Sequence, residues 1–405
     1  MRPYRWVVES VLFGTYLVFG ISWLAYSPLM KDVAAHFGAT STQAGAVISL
    51  VSVAKAFVPL LAGMLAARIG LRWALLVGAT LAGVAVLAPL APTFDALLVL
   101  RFVFGVGGAI VVTLMGPMVM QWFPRSELAM INGINNVAVN TGITVAMFTA
   151  VPLSARVGWQ TTLIVFGALS AAAAAAWLVL GREVTAETTA GAGMVEDARL
   201  SEVTRVRETW LVAMAFAGPL SLYLALNTWL PTHFQLAFGL DKASASQLTG
   251  LFNLVGIPMA VIGGIITSKL GLRRPLVIAA GCIMPVGAVG LCLSPDSAVR
   301  YASAIVLGAA FFLYVSPLFT VPMELEGMTP RRVALMMGVV FSVSYLVSFV
   351  SPLAVGWLKD RTGSFGPGFV VFAVLSSSLA LGGYLLPETG PSARRPSQER
   401  VEREA

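Results

Sequence analysis

The sequence predicts an all-α membrane protein whose twelve transmembrane helices form two six-helix halves. Its 405 residues are 58% hydrophobic and only 11% charged, with a mean hydropathy of +0.85, whereas about 25% of the residues of a soluble domain are charged. Long apolar runs recur along the chain, and a basic, glycine-containing stretch occurs once in each half. The composition indicates a protein that resides in a lipid bilayer, and the repeat indicates two homologous halves.

Twelve apolar runs are long enough to cross a bilayer, because about 20 apolar residues span its hydrocarbon core as a helix. Open β-structure is excluded in these runs, since lipid leaves unpaired backbone groups without partners. The predicted helices cover residues 6–29, 44–66, 73–92, 97–121, 128–153, 160–181, 209–231, 246–268, 275–294, 301–323, 333–357 and 367–386.

The repeated stretch follows the second and the eighth run. Residues 63–73 read GMLAARIGLRW, and residues 264–274 read GIITSKLGLRR. A tight basic turn of this kind suits a short cytoplasmic loop between two antiparallel helices. We therefore predict an N-terminal six-helix bundle over 1–181, a cytoplasmic linker over 182–208, a C-terminal bundle over 209–387 and a cytoplasmic tail over 388–405.

The distribution of basic residues predicts the orientation. Apart from Lys55 and Arg101, which lie within runs, eighteen Lys and Arg residues fall on the side of the N-terminus and six on the other side. Cytoplasmic loops carry the excess of basic residues, so both termini are expected in the cytoplasm. Abundant Ala and an excess of Arg over Lys suggest a bacterial chain, and hence a multi-pass protein of the cytoplasmic (inner) membrane.

Several functional classes are disfavoured. The formal charge of +7 does not indicate nucleic-acid binding, because the basic residues flank apolar runs instead of forming a patch. Two cysteines and two distant histidines predict neither a disulfide nor a metal site. No G-x-x-x-x-G-K-[ST] motif is present, and the runs hold no clustered catalytic side chains. We expect a monomer that is not an enzyme and has no cofactor.

Two motifs carry a resemblance to a known family. Residues 63–72 resemble the loop 2–3 signature G-x-x-x-D-[RK]-x-G-[RK]-[RK], and the segment from Arg101 to Ala109 is similar to R-x-x-x-G-x-G-x-A. Together they make the chain similar to the major facilitator superfamily of secondary transporters, over essentially its whole length. The resemblance implies alternating access between two halves. It also implies a conformational role for Gly63, Arg68, Gly70, Arg72, Gly264, Lys269, Gly271 and Arg273.

The acidic position of the loop signature departs from the family, because it is Ala67 in the first copy and Ser268 in the second. In the family this carboxylate helps to latch the cytoplasmic side, so we expect that side to open readily. Short matches around Trp23, Trp122 and Asn140 give a fainter likeness to the choline and haem transporters named after the feline leukaemia virus receptor. The chain also partly resembles organic-anion carriers such as the oxalate and nitrate porters.

Three ionisable side chains lie inside the runs, where a charge at the bilayer centre costs roughly 2.5–3.5 kcal/mol. Lys55 is near the middle of its run, and it either binds an anion in a central cavity or extends its ammonium to an interface. The resemblance of Arg101 to the arginine of the family's motif implies a part in conformational coupling or proton transfer, and the alternative is a structural hydrogen-bond hub. Glu9 is close to the cytoplasmic end of the first run and is a candidate for coupling.

Uncharged polar side chains supply further candidates for binding. On the first helix, polar and aromatic residues including Tyr16 and Trp23 share one face, although Trp23 and Tyr26 also suit an interfacial aromatic belt. Asparagines of the fifth run either line a substrate path or join helices. The binding candidates are Lys55, Tyr16, Trp23, Asn136, Asn140, Tyr223 and Asn227.

These observations predict a secondary transporter of a small organic anion or zwitterion, with a site at mid-membrane between the halves. Its expected partners are the small-molecule substrate, the lipid bilayer and a coupling proton, as in a symporter. The alternatives are transport of a cationic, quaternary-ammonium or apolar solute, and a non-transporting membrane scaffold or sensor.

Overall fold

The computed structural model describes residues 3–124, 127–184, 200–390 and 392, and no strand occurs among them. Side chains are described for these residues except 60, 129, 132, 133, 136, 330 and 331. Twelve helices among these described residues are long and apolar enough to cross a membrane, which confirms the predicted fold class.

The spanning helices are numbered here α1 to α12. The first half contains α1 Arg5–Leu24, α2 Ser41–Ile69, α3 Leu71–Gly83, α4 Phe94–Trp122, α5 Leu128–Val157 and α6 Trp159–Leu180. The second half contains α7 Arg207–Ala237, α8 Lys242–Leu270, α9 Arg274–Leu293, α10 Ser297–Leu313, α11 Pro330–Thr362 and α12 Gly366–Ser376.

Shorter helices complete the spans and connections. The α3 span continues through 3-10 turns Val84–Val86 and Ala88–Leu90, α10 through Val315–Glu324, and α12 through Ser378–Leu385. A helix Met30–Phe37 follows α1. The segment predicted as a linker contains a helix Leu200–Arg205, and α7 begins at Arg207 instead of residue 209. Residues 185–199 of that segment, and 391 and 393–405 of the predicted tail, lie outside the described residues.

Polar caps explain why several helices begin a few residues before the predicted apolar runs. Thr40 and Gln43 form a capping box before α2, which satisfies backbone donors that a helix start leaves free. Asp241 accepts from the backbone nitrogens of Ala243 at 2.9 Å and Ser244 at 3.0 Å, and so begins α8. Hydropathy locates the part of a helix that suits lipid, whereas a cap marks its actual end.

The two halves meet along α2 with α11 and α5 with α8. Small residues allow close approach at the first of these pairs, because Gly45 faces the backbone of Pro352 and Gly356 faces the backbone of Ser41. At mid-depth, Ser342 of α11 donates a hydrogen bond to the carbonyl of Ala56 at 2.7 Å. This bond fixes the register of α11 beside Lys55.

The bundle has two ends, which we name by their contents. The glycine-turn end carries Gly70 and Gly271, and the opposite end carries the connections that follow α1 and α7. At the opposite end, Asp360 accepts from the backbone nitrogen of Thr42 at 2.8 Å, and Lys242 pairs with Asp32. The halves are therefore joined at the opposite end.

Candidate functional site

Lys55 lies at the centre of the interface between the halves and is only 4% exposed. Its Nζ is 3.9 Å from the ring centroid of Trp23, 5.2 Å from that of Phe19 and 5.4 Å from that of Tyr345. Rings at these distances attract a cation through their negative faces. Among the described residues, no carboxylate pairs with this ammonium. The enclosing rings contradict the alternative in which Lys55 extends to a membrane interface.

Two residues next to Lys55 carry hydrogen-bond donors without a partner. The indole Nε1 of Trp23 and the hydroxyl of Ser52, one turn before Lys55, are buried without a hydrogen-bond partner. Leaving such a group unsatisfied costs about 1–3 kcal/mol. Trp23 is 4% exposed and Tyr26 is 3% exposed, so the aromatic-belt alternative is wrong for both. A cation beside two free donors suits an anion.

Tyr345 completes the aromatic wall from the second half, and the sequence analysis missed it. Tyr16, Tyr223 and Tyr314 lie near Tyr345, which brings four tyrosines together. Tyr16 also stacks on Phe19 with ring centroids 6.0 Å apart. Tyr345 directly follows Ser344, a polar residue of an apolar run. Its position beside this serine was the feature of the sequence that could have identified it.

Tyr223, Asn227, Asn253 and Asn140 form a connected network at mid-depth. The Tyr223 hydroxyl is 2.7 Å from Oδ1 of Asn253 and 3.1 Å from Oδ1 of Asn140. Asn253 Nδ2 donates to Asn227 at 2.8 Å, and Asn227 Nδ2 donates to the Tyr223 carbonyl at 2.9 Å. One hydroxyl proton cannot serve two acceptors, so the Asn140 amide is better assigned with Nδ2 toward Tyr223.

Asn140 is the member of this network that belongs to the first half, so the network bridges the halves. Asn253 was not among the binding candidates predicted from the sequence. The side chain of the predicted Asn136 lies outside the described residues.

Arg101 is fully buried and ties α4 to α1 and α2. Its Nε donates to the carbonyl of Val47 at 2.9 Å, and its two terminal nitrogens donate to the carbonyls of Ser22 at 2.9 Å and Trp23 at 2.7 Å. The Tyr26 ring covers the guanidinium at 4.5 Å. This geometry supports the structural-hub alternative, and it holds the backbone of Trp23 in place.

Glu9 lies in the first turns of α1 and is 5% exposed. The Asn135 amide of α5 interacts with it. No hydrogen bond of good geometry forms, because both carboxylate oxygens and both amide atoms are buried and unsatisfied. Although Glu9 is close to the end of its span, packing against α5 removes its carboxylate from water.

The two glycine turns share one arrangement. Gly70 and Gly271 have φ of +86° and +63°, values that favour glycine. After the first turn, Glu183 accepts from the backbone nitrogens of Leu71 at 3.2 Å and Arg72 at 3.1 Å. After the second, Glu388 accepts from those of Arg273 at 2.7 Å and Arg274 at 3.0 Å.

These carboxylates neutralise the start of a helix where backbone donors are free. They place a carboxylate near each turn, which Ala67 and Ser268 cannot do. Among the described residues, each carboxylate contacts the turn that precedes it in its own half, so neither joins the two halves. Arg273 also pairs with Glu324 at 2.6 Å, and the hydrogen bond from that carboxylate raises the pKa of Arg273.

The other members of the motif have fewer contacts. Arg68 and Lys269 are exposed. A methyl group at Gly63 would meet no atom within 4 Å, and one at Gly264 would meet only the Ser316 hydroxyl, at 3.6 Å. Space alone therefore does not require glycine at either position. Within the described residues no group of three or more His, Cys, Asp or Glu side chains could hold a metal ion.

Comparison with known proteins points to one family. The family model described as Major Facilitator Superfamily matches residues 12–326. The chain is 27% identical over 377 residues to the "Probable sulfoacetate transporter SauU" of Cupriavidus necator, covering 86% of this chain and 85% of the relative. It is 24% identical over 380 residues to the "2-nitroimidazole transporter" of Escherichia coli, covering 90% and 91%.

Among solved structures, an inward-facing, unoccupied bacterial homologue of the human lysosomal transporter Spinster superimposes with a TM-score of 0.77 at 15% identity. The match covers 95% of this chain and 97% of that one. At this identity the likeness concerns the fold alone.

Proposed function

The chain belongs to the major facilitator superfamily, and on that premise we propose that it transports a small organic anion through the membrane by alternating access, with Lys55 as the residue that recognises charge. Family and relatives make it a multi-pass membrane transporter of small solutes. The anionic character of the solute and the roles of individual residues are the content of the proposal.

The observation that carries the proposal is a buried ammonium that has no counter-ion in the part of the chain that the structure describes. Lys55 is enclosed by rings from both halves, and cation–π contacts contribute about 0.5–2 kcal/mol. That range falls below the several kcal/mol that desolvating an ion costs in a real protein. A bound anion would offset the remainder through direct Coulomb attraction in a poorly hydrated site.

The neighbouring side chains supply the rest of the site. Trp23 Nε1 and the Ser52 hydroxyl would donate to the anionic group, because neither has another acceptor. Tyr16 and Tyr345 would form the walls. Asn140 and Tyr223 would bind the uncharged part of the solute, or the hydrogen bond between them would break when the solute enters. Asn227 would keep Tyr223 in place on the second half.

The orientation predicted from the basic residues makes the glycine-turn end cytoplasmic, in the inner membrane of a bacterium. Ion pairs and caps join the halves at the opposite end. Both points support access to Lys55 from the cytoplasmic side in this conformation. We propose that the glycine turns, with Arg68, Arg72, Lys269 and Arg273, change their contacts when the protein changes state.

The relatives support two kinds of solute. Sulfoacetate carries a sulfonate and a carboxylate, so the relative named for it favours an anion. A flat neutral solute such as 2-nitroimidazole is the second candidate, because one relative is named for it and four tyrosines line the centre of this chain.

The test is flux of sulfoacetate and of 2-nitroimidazole in proteoliposomes that contain the purified full chain. Lys55→Ala should reduce sulfoacetate flux at least tenfold, and Lys55→Arg should keep binding but slow transport, since a planar fork does not replace a compact ammonium. Lys31→Ala is the matched control, because Lys31 is exposed.

Thermal unfolding of each variant shows that the fold is intact. Sulfoacetate flux that survives Lys55→Ala would contradict the anion proposal. Flux of 2-nitroimidazole alone, insensitive to Lys55, would favour the second candidate.

A further inference from the structure

Glu9 and Asn135 form a second polar site, separate from the one at Lys55. Both side chains are more than nine-tenths buried, at 5% and 3% exposure, and all four of their terminal polar atoms lack a hydrogen bond. Phe19, which contacts Lys55, lies ten residues further along α1, or about 15 Å away at 1.5 Å per residue. The two sites are therefore too far apart for direct pairing of Glu9 with Lys55.

Among the residues that the structure describes, no basic side chain pairs with Glu9. On its own helix, Arg5 pairs at 3.0 Å with Glu127, the residue that precedes α5. Of the helices packed on α1, α6 contains no charged residue, and α4 contains Asp95 at its first turn and Arg101, which binds backbone carbonyls. The charged residue of α5 is Arg156 at its far end, and those of α2 are Lys55 and Arg68.

A buried carboxylate without a partner is costly as an anion, so a cation is expected to neutralise it. Hard metal cations such as Mg²⁺ and Ca²⁺ collect six or more oxygens. The described side chains here offer two carboxylate oxygens and one amide oxygen, which is far short of six ligands, whereas a proton needs a single carboxylate oxygen. Asn135 suits both states, because its Nδ2 can donate to the ionised carboxylate and its Oδ1 can accept from the protonated carboxyl.

We propose that Glu9 is a proton-binding site, with Asn135 as its hydrogen-bond partner, and that loading of this proton accompanies transport of the anion bound at Lys55. The second clause rests on the proposed function. The carboxylate takes a proton from water on one side of the membrane, the neutral carboxyl persists through the change of state, and the proton leaves to water on the other side. No other bond forms or breaks.

The first experiment requires no substrate. Infrared difference spectra of the full chain are recorded across a pH step, and a buried protonated carboxyl should appear as a carbonyl stretching band. Glu9→Gln should abolish this band, whereas Asp95→Asn, which alters an exposed carboxylate at the opposite end, should leave it unchanged. A band that persists in Glu9→Gln would overturn the proposal.

Asn135→Ala is the second variant, and it keeps the carboxyl while removing its partner. The band should remain and should titrate over a different pH range. An unchanged titration would overturn the role of Asn135. This variant also keeps the assignment testable where Glu9→Gln does not fold.

The second experiment measures coupling in proteoliposomes with sulfoacetate. Glu9→Gln should lose accumulation driven by a pH gradient at least tenfold, but should retain counterflow exchange, which needs no net proton movement. Lys55→Ala should lose both. Accumulation that survives in Glu9→Gln, or that follows a sodium gradient at constant pH, would overturn the proton assignment.

If anion flux survives in both Lys55→Ala and Glu9→Gln, the proposed function is contradicted. The infrared result would still decide whether Glu9 binds a proton.

Discussion

Trp23 of α1 and Trp229 of α7 occupy similar places in the two halves, each followed by leucine, yet their indole groups have opposite surroundings. Trp229 Nε1 donates to the carbonyl of Pro352 at 2.8 Å, and its ring stacks on Phe365 with centroids 4.9 Å apart. Trp23 Nε1 is buried without an acceptor, and its ring faces Lys55. One tryptophan completes a structural contact, and the other retains an unused donor beside a cation.

The same contrast extends to the polar groups around them. In the first half, Lys55, Glu9 and Ser52 have no hydrogen-bond or ion-pair partner among the described side chains. In the second half, Asn227 and Asn253 are bound to each other. Homologous halves have therefore diverged. The first has kept unsatisfied charge that a solute or proton could neutralise, and the second supplies a neutral, internally bonded wall.

The largest expected effect concerns Arg101, which holds Trp23 in place. Arg101 lies eight residues after the Thr93 cap of α4, and the equivalent position after the Asp296 cap of α10 is Ala304. Arg101→Leu should lower the free energy of unfolding by about 3–5 kcal/mol, because three charge-assisted hydrogen bonds are lost and their carbonyls remain buried.

Thermal unfolding in detergent measures the effect of Arg101→Leu, and Arg156→Leu, at an exposed position near the same end, is the control. Equal stability of the two variants would contradict the hub.

An intermediate effect is expected when each tryptophan is replaced by phenylalanine, which keeps a ring and removes the Nε1 donor. Trp23→Phe should weaken sulfoacetate binding about tenfold, or about 1.4 kcal/mol, and should not reduce stability, since its donor is unsatisfied. Trp229→Phe should reduce stability by about 1–2 kcal/mol, because the Pro352 carbonyl loses its donor, and should leave affinity unchanged. Isothermal titration and thermal unfolding separate the two. Equal behaviour of both variants would remove the distinction between the halves.

The smallest effect is expected at the glycine turns, where the halves are alike. Glu183→Gln and Glu388→Gln should each reduce stability by about 0.3–1 kcal/mol, because a carboxylate at a helix start is replaced by a neutral amide. Glu388 is partly buried and Glu183 is exposed, so Glu388→Gln should cause the larger loss of stability. Added salt screens exposed charges more strongly, so it should reduce the effect of Glu183→Gln more than the effect of Glu388→Gln. Chemical denaturation measures both. A large effect on transport without loss of stability would indicate that the turn itself moves during the cycle.

Much of the candidate site could be predicted from residue type and depth. Lys55, Tyr16, Tyr223 and Asn140 were singled out because polar groups are rare in apolar runs, and the structure brings all four toward the centre. Tyr345 was missed because the polar residue Ser344 beside it does not reveal the direction in which the ring points. The burial of Glu9 was missed as well, since depth along one helix does not reveal that α5 covers it.

The sequence by itself determined the twelve helices, their order and the division into two halves. Lipid permits only structures that satisfy their own backbone hydrogen bonds, so hydropathy and length suffice to identify a span, and a repeated turn suffices to relate two bundles. These are local properties of the chain. Only the tertiary structure decided that Trp23 faces Lys55, that Arg101 binds the carbonyls of α1 and α2, and that Glu183 caps the helix after Gly70. Such partners depend on how each helix is rotated about its axis and where it crosses its neighbours, and many weak packing contacts between segments distant in sequence fix both.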